Sequence, residues 1–252
     1  MKKYIAALTL IAAGTTLANA ENVLTQYATM SDLVSKAATI TATNVSANYA
    51  NSVTAYAFAA GTNSFLNITD TDLYSYVTGG TGYLTVAAWI KADSVTENSV
   101  FSFGGQGDGV KFALKDGKMQ FTTKNVADKN TNSASITAGD WTLVAWALDL
   151  SKSTNSQVYV GNSTTTINVG TWNAANPQTF AIGSGNSGNL RDGYLGEIAN
   201  LTVFKSDSLA DASEVVAKMG SAPVLVPEPS MFGLLAGIGA LALVGARRRR
   251  SR

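Results

Sequence analysis

The central part of the sequence predicts an all-β fold, a two-sheet jelly-roll sandwich with one short C-terminal helix. Three observations lead there. Short apolar segments alternate inward and outward residues, Gly, Asn and Asp punctuate them at regular spacing, and only four prolines interrupt 252 residues. One segment alone, late in that region, carries a helical period.

The elements follow in order. Leu84, Val86, Ala88 and Ile90 fall on one face of a strand, with Thr85, Ala87 and Trp89 on the other. Val100 to Phe103 is a short apolar strand, and the glycine-rich run Gly104 to Gly109 joins it to the next one as a hairpin loop, not as a phosphate cradle. Val110, Phe112 and Leu114 alternate with Lys111, Ala113 and Lys115, after which Asp116-Gly117 makes a tight turn into Met119 and Phe121. Ala127 to Ser135 is polar and is expected to be a loop. Trp141 to Leu148 is nearly all apolar, as in a strand buried on both faces. Val158-Tyr159-Val160 turns at Gly161-Asn162 into a strand from Thr164 to Val169, Phe180 to Ile182 enters a glycine-rich stretch, and Ile198 to Phe204 closes the set. Ser208 to Met219 spaces Leu209, Ala212, Val215, Val216 and Met219 helically, with Gly220 as the stop.

Both ends read as transport labels. Met1-Lys2-Lys3 precedes an apolar core from Tyr4 to Leu17, and Ala18-Asn19-Ala20 is a small-x-small cleavage site, so residues 1–20 are expected to be a secretory signal peptide cut after Ala20. At the other end Pro227-Glu228-Pro229 is followed by a charge-free apolar segment, 230–246, and then by Arg247, Arg248, Arg249 and Arg250. An apolar run of roughly 16 residues falls slightly short of a bilayer core, and snorkelling arginines offset the mismatch. The basic cluster is expected to stay cytoplasmic and the rest of the chain outside. Between the labels lie an N-terminal segment, 21–54, expected to join the sandwich, a domain over 55–220 and a linker, 221–226. Without the terminal segments, 11 basic and 16 acidic residues remain, about −5 net. An acidic domain without a basic patch is a poor match for nucleic acid.

The chain has no histidine and no cysteine. Imidazole general bases, Ser-His-Asp catalysis, thiol chemistry, disulfides and zinc sites of the usual ligands are therefore excluded. A metal would have to be a hard cation on oxygen ligands, with calcium the natural choice outside the cell.

The tail resembles the PEP-CTERM sorting signal of exported bacterial proteins, which implies handling by an exosortase-type membrane enzyme. In the interior, Tyr83-Leu84-Thr85-Val86-Ala87-Ala88-Trp89-Ile90-Lys91 resembles the tryptophan-bearing strand of laminin-G-like, concanavalin-A-like domains. Gly139-Asp140-Trp141-Thr142-Leu143-Val144-Ala145, Val158-Tyr159-Val160-Gly161-Asn162, Gly193-Tyr194-Leu195-Gly196-Glu197-Ile198, Leu201-Thr202-Val203-Phe204 and Leu209-Ala210-Asp211-Ala212-Ser213-Glu214 are similar to later motifs of that family, in the same order. Two positions depart from it: Gly196 stands where an Asp is usual, and Asn162 replaces a hairpin Gly. The resemblance implies a concanavalin-A-like jelly roll that binds glycans or extracellular proteins, sometimes with calcium.

Four sets of residues then compete for a role. Trp89, Trp141 and Trp146 lie in strand patterns and are expected to pack in the core or on a sheet face. Trp172, in the turn-like Gly170-Thr171-Trp172-Asn173, is the candidate for stacking on a sugar. Asp70 and Asp72 have a calcium-like i, i+2 spacing, although turn carboxylates without metal show it too. Cleavage of glycosidic bonds with retention needs two carboxyls about 5 Å apart. No Glu-x-Asp-x-x-Glu run supplies them, and Glu197 is the only strand glutamate in a plausible setting. The favoured reading is a non-catalytic binding or adhesion module held at the cell envelope. A structural part of the extracellular matrix or surface coat is the alternative, and a glycoside hydrolase is the more distant one.

Overall fold

The computed structural model describes residues 23–40, 43–44, 53, 55–59, 64–104, 109–131, 135–151, 156–167, 179–186 and 191–224. Ala18 and Ala20 of the signal segment, Trp172 and the sorting tail lie outside them. β1 (Thr25–Thr29) runs into α1 (Met30–Ser35), followed by β2 (Ala37–Ile40), β3 (Thr43–Asn44), β4 (Ala55–Phe58) and β5 (Leu66–Thr69). After α2 (Thr71–Gly79) come β6 (Tyr83–Ala92), β7 (Glu97–Phe103), β8 (Val110–Lys115), β9 (Lys118–Thr123) and β10 (Ala127–Asn130). β11 (Thr142–Asp149), β12 (Ser156–Val160), β13 (Ser163–Ile167), β14 (Thr179–Ile182), β15 (Gly196–Ser206) and α3 (Ala212–Met219) complete the order.

The strands form two antiparallel sheets. The first has the order β13-β12-β11-β6-β15-β4-β3, with β1 also paired to β15, and the second has the order β10-β9-β8-β7-β14-β5-β2. β15 is long enough to serve two partners on one edge. Gly196 to Ala199 pair with β4, and beyond a bulge at Asn200, whose φ is 51°, Thr202 to Lys205 pair with β1. The N-terminal strands thus enter both sheets, β1 and β3 in the first and β2 in the second.

Strand alternation puts one row of apolar residues from each sheet between them. Val86, Ala88 and Ile90 of β6 and Val144, Trp146 and Leu148 of β11 meet Phe101, Phe103, Phe112, Phe121 and Phe180 of the second sheet. Phe112 stacks on Trp146 with centroids 5.0 Å apart and planes 8° from parallel, which joins the two sheets at the centre. The apolar character of β11 has its reason on the other face as well. Leu143, Ala145 and Ala147 lie in a second cluster with Val215 and Met219 of α3, which covers the outside of the first sheet. Asp211 caps α3 by accepting from the Glu214 amide at 2.8 Å, and Glu214 in turn accepts from the Leu24 amide at 2.7 Å.

Three features differ from expectation. The segment expected to be a turn around Asp70 and Asp72 is the start of α2, which Asp70 caps and Gly80 ends in the left-handed region at φ 76°. Leu73 and Val77, four residues apart, bury its inner face. The expected loop over 127–135 begins as an edge strand, β10, in register with β9. A strand glutamate that the sequence reading did not single out, Glu97, opens β7. The departure at Gly196 also has a cause. Its φ is 125°, and a Cβ there would lie 2.1 Å from the Lys91 carbonyl oxygen, so no side chain fits.

Candidate binding cleft

The outer face of the second sheet, opposite the core, is polar. By register, Asn67, Ala181, Ser102, Lys111, Thr122 and Asp128 form one row across six strands. A parallel row holds Ser99, Ala113, Gln120 and Asn130. Ser99 and Ser102 are three residues apart and would face opposite ways on a regular strand. The register shift between Ser99 and Phe101 absorbs one residue and brings both serines to the same face.

The segment after β14 folds back over this face. Gly183 donates to the Val100 carbonyl at 3.0 Å, and Gly185 donates to Arg191 O at 2.7 Å. Ser99 donates its amide to Asp192 O at 2.8 Å, and Leu195 donates to Asn98 Oδ1 at 3.1 Å. Gly185 passes close to the sheet: a Cβ there would meet Lys111 Cδ and Ser99 Oγ, each at 2.9 Å. Between this segment and the β9–β10 turn lies an open cleft of about 520 Å³.

Lys111 is the hub of the cleft. Its residue is 8% exposed, and its ammonium donates to Glu97 Oε1 at 3.1 Å and to Asp192 Oδ2 at 3.0 Å. Burying an ammonium is costly unless it is paired, and here two carboxylates share it. Lys115 approaches the other Glu97 oxygen at 3.9 Å, and Arg191 Nε lies 3.7 Å from Asp192 Oδ2. At the far wall Thr122 donates to Asp128 Oδ1 at 2.6 Å, and Lys124 donates to the Gly104 carbonyl at 2.9 Å. On the same sheet face Ser99 and Ser102 are fully buried, outside the lining of the cleft, and their hydroxyls have no hydrogen-bond partner among the described residues. Such a group costs about 1–3 kcal/mol unless something satisfies it.

The residues singled out in the sequence lie elsewhere. Asp70 sits at the end of the sandwich, 4% exposed; its Oδ1 accepts from Leu73 N at 3.0 Å and Tyr27 OH at 2.8 Å, and its Oδ2 from Lys36 Nζ at 2.6 Å. Those three donors occupy most of the carboxylate's acceptor sites, and Asp72 is exposed in the first turn of α2. Among the described residues, no three of His, Cys, Asp or Glu gather in a way that could hold a metal ion. Trp146 is in the core, as expected of it, with its indole nitrogen unpartnered. Trp89 and Trp141 are half-buried on the outer side of the first sheet, in an apolar groove with Leu143 and Val216. None of Glu97, Lys111 and Asp192 was legible as a site residue. They are 14 and 81 positions apart, and only the fold brings them together.

Comparisons with known proteins bear on the whole chain. A family model described as the concanavalin A-like lectin/glucanases superfamily matches residues 60–212, and one described as the PEP-CTERM protein-sorting motif matches residues 225–250. No curated protein matches the sequence. Among solved structures, the binding domain of botulinum neurotoxin serotype G has a TM-score of 0.49 at 12% identity, covering 80% of this chain and 47% of that one. The binding domain of botulinum neurotoxin DC, solved in complex with rat synaptotagmin II, gives 0.48 at 8% identity, covering 68% of this chain and 43% of that one. The serotype D binding domain gives 0.46 at 13%, covering 71% and 46%. The chain spans less than half the length of these structures. No helix among the described residues is long and apolar enough to cross a membrane.

Proposed function

The chain belongs to the concanavalin A-like lectin/glucanases superfamily, and we propose that it is an exported, non-catalytic module that binds carbohydrate in the cleft of its second sheet. The observation that carries this reading is the Glu97–Lys111–Asp192 arrangement, a set of donors and acceptors fixed in place before any ligand arrives. Preorganised polar groups spare a ligand the cost of ordering them, and hydroxyl-rich molecules need such groups for orientation. Fold alone would not support the reading, because one architecture hosts many functions.

Binding rather than cleavage is favoured by what lies between the carboxylates. A glycosidase needs the space between its two carboxyls for the scissile oxygen or a water. Lys111 fills that space and occupies the facing oxygens of Glu97 and Asp192.

The PEP-CTERM motif marks an exported protein destined for the cell envelope. In our reading the signal peptide, 1–20, is removed. The sandwich over 21–220 is then displayed outside, and the tail with its apolar segment, 230–246, holds the chain in the membrane until an exosortase-type enzyme recognises Pro227-Glu228-Pro229 and the arginine cluster. A glycan array probed with the full chain tests the central claim. Binding is expected, with no reducing ends released on prolonged incubation. Binding that survives Lys111→Met unchanged would remove the cleft from consideration, and release of reducing ends would make the protein an enzyme.

A further inference from the structure

We propose that the cleft selects uncharged, polyhydroxylated chains and rejects acidic ones, and that Asp192 is the residue that sets this preference. The inference rests on the carbohydrate-binding reading above and adds the class of glycan.

The charges in the cleft balance. Glu97, Asp128 and Asp192 face Lys111, Lys124 and Arg191 around the same cavity. Lys111, the most buried cation, spends two of its three protons on Glu97 and Asp192. No deeply set positive charge is therefore left over for a uronate, sulfate or phosphate group. What the cleft offers instead is acceptor capacity. Asp192 engages Lys111 through Oδ2, and its Oδ1 has no hydrogen-bond partner among the described residues; Asp128 accepts from Thr122 on Oδ1, and its Oδ2 has none among them. A carboxylate with an open oxygen is a strong acceptor for sugar hydroxyls, and it repels an anion.

Asp192 is held more firmly than a surface acid. Its backbone is in the left-handed region at φ 46°, its carbonyl accepts from Ser99 N at 2.8 Å, and its side chain is tethered to Lys111. The carboxylate therefore cannot easily swing away from an approaching anion. The domain as a whole carries a net charge of about −5 after its terminal segments are set aside, which adds long-range repulsion of the same sign.

The test uses the full chain in detergent and matched hexamers: neutral ones of glucose, mannose and galactose, acidic ones of galacturonate and guluronate. Binding is measured by calorimetry at low and high salt. At least one neutral hexamer is expected to bind about tenfold more tightly than either acidic one, with little salt dependence. The isosteric Asp192→Asn is expected to narrow that ratio toward one by weakening the neutral hexamer and admitting the acidic ones. Preferential binding of an acidic hexamer, steeply weakened by salt, would overturn this inference and leave the binding-module reading intact. An unchanged ratio in folded Asp192→Asn would equally remove Asp192 from the role. Failure to bind any hexamer or any arrayed glycan would overturn both.

Discussion

Asp70→Ala should cost this domain about 3 kcal/mol, although Asp70 does not line the cleft. The structure gives three contributions. As the cap of α2, Asp70 satisfies the Leu73 amide, a role worth about 1 kcal/mol. The Tyr27 hydroxyl bond to an ionised acceptor adds about 1.5 kcal/mol. The Lys36 pair adds about 0.5 kcal/mol, because the Lys36 side chain is 42% exposed and solvent screens it. For a domain of this size the loss corresponds to a fall in Tm of about 6–12 °C. Asp70→Asn keeps the cap and should lose about half as much. Burial raises the Asp70 carboxyl, but hydrogen bonds from Lys36, Leu73 and Tyr27 outweigh it and hold the group below the usual carboxylate range. The ionised form therefore stabilises the fold fully above the unfolded value near pH 4, and that contribution disappears as pH falls through the lower folded value. Urea melts of wild type and Asp70→Asn at neutral pH and at pH 3 should show their difference shrinking with acid. A loss under about 1 kcal/mol in Asp70→Ala, or a difference that ignores pH, would refute the reasoning. Calcium that raised the Tm of wild type but not of an Asp70→Ala/Asp72→Ala double variant would support a calcium site at these residues.

Three further outcomes are expected. Gly196→Ala should cost about 3 kcal/mol or more in urea melts, since its φ is 125° and the new Cβ would press on the Lys91 carbonyl. Gly185→Ala should cost only about 1–3 kcal/mol, because no left-handed φ is required there. The added methyl would nevertheless displace the Lys111 stem, so affinity on a glycan array should drop while the thermal transition remains cooperative. Replacing Pro227, Glu228 and Pro229 with alanine should leave an unprocessed form in the membrane fraction, read by intact mass; an unchanged mature mass would count against exosortase handling.

The long strands were legible because their period had room to show. β6, with ten residues, and β11, with eight, reveal both faces, and the uniform apolarity of β11 correctly implied cover on its outer side. The N-terminal strands β2, β4 and β5 have four residues each, too few for alternation to stand out from composition. α2 was hidden for a different reason. Thr71, Tyr74, Tyr76, Val77 and Thr78 are indifferent helix formers, so tertiary burial of Leu73 and Val77 outweighs a weak local preference. Its signal was present in Asp70 and Gly80, a cap and a stop around an i, i+4 apolar pair.

The cleft was illegible for a deeper reason: its defining step is an irregularity. A strict two-residue period assigns Ser99 and Ser102 to opposite faces, and only the bulge between Ser99 and Phe101 gathers them beside Lys111. The same bulge keeps Val100, Phe101 and Phe103 all on the core side, so one inserted residue both fills the interior and leaves the two serines together on the outer face. Gly185 then brings the segment after β14 close enough for Asp192 to reach Lys111, while Ser99 N holds the Asp192 carbonyl. Each of these devices is a backbone geometry, which composition and spacing do not report. The sandwich fixes where the ends of these strands meet, and departures from regularity decide which side chains face a ligand. Substitutions that repair regularity, such as a side chain at Gly185, should therefore disturb recognition before they disturb the fold.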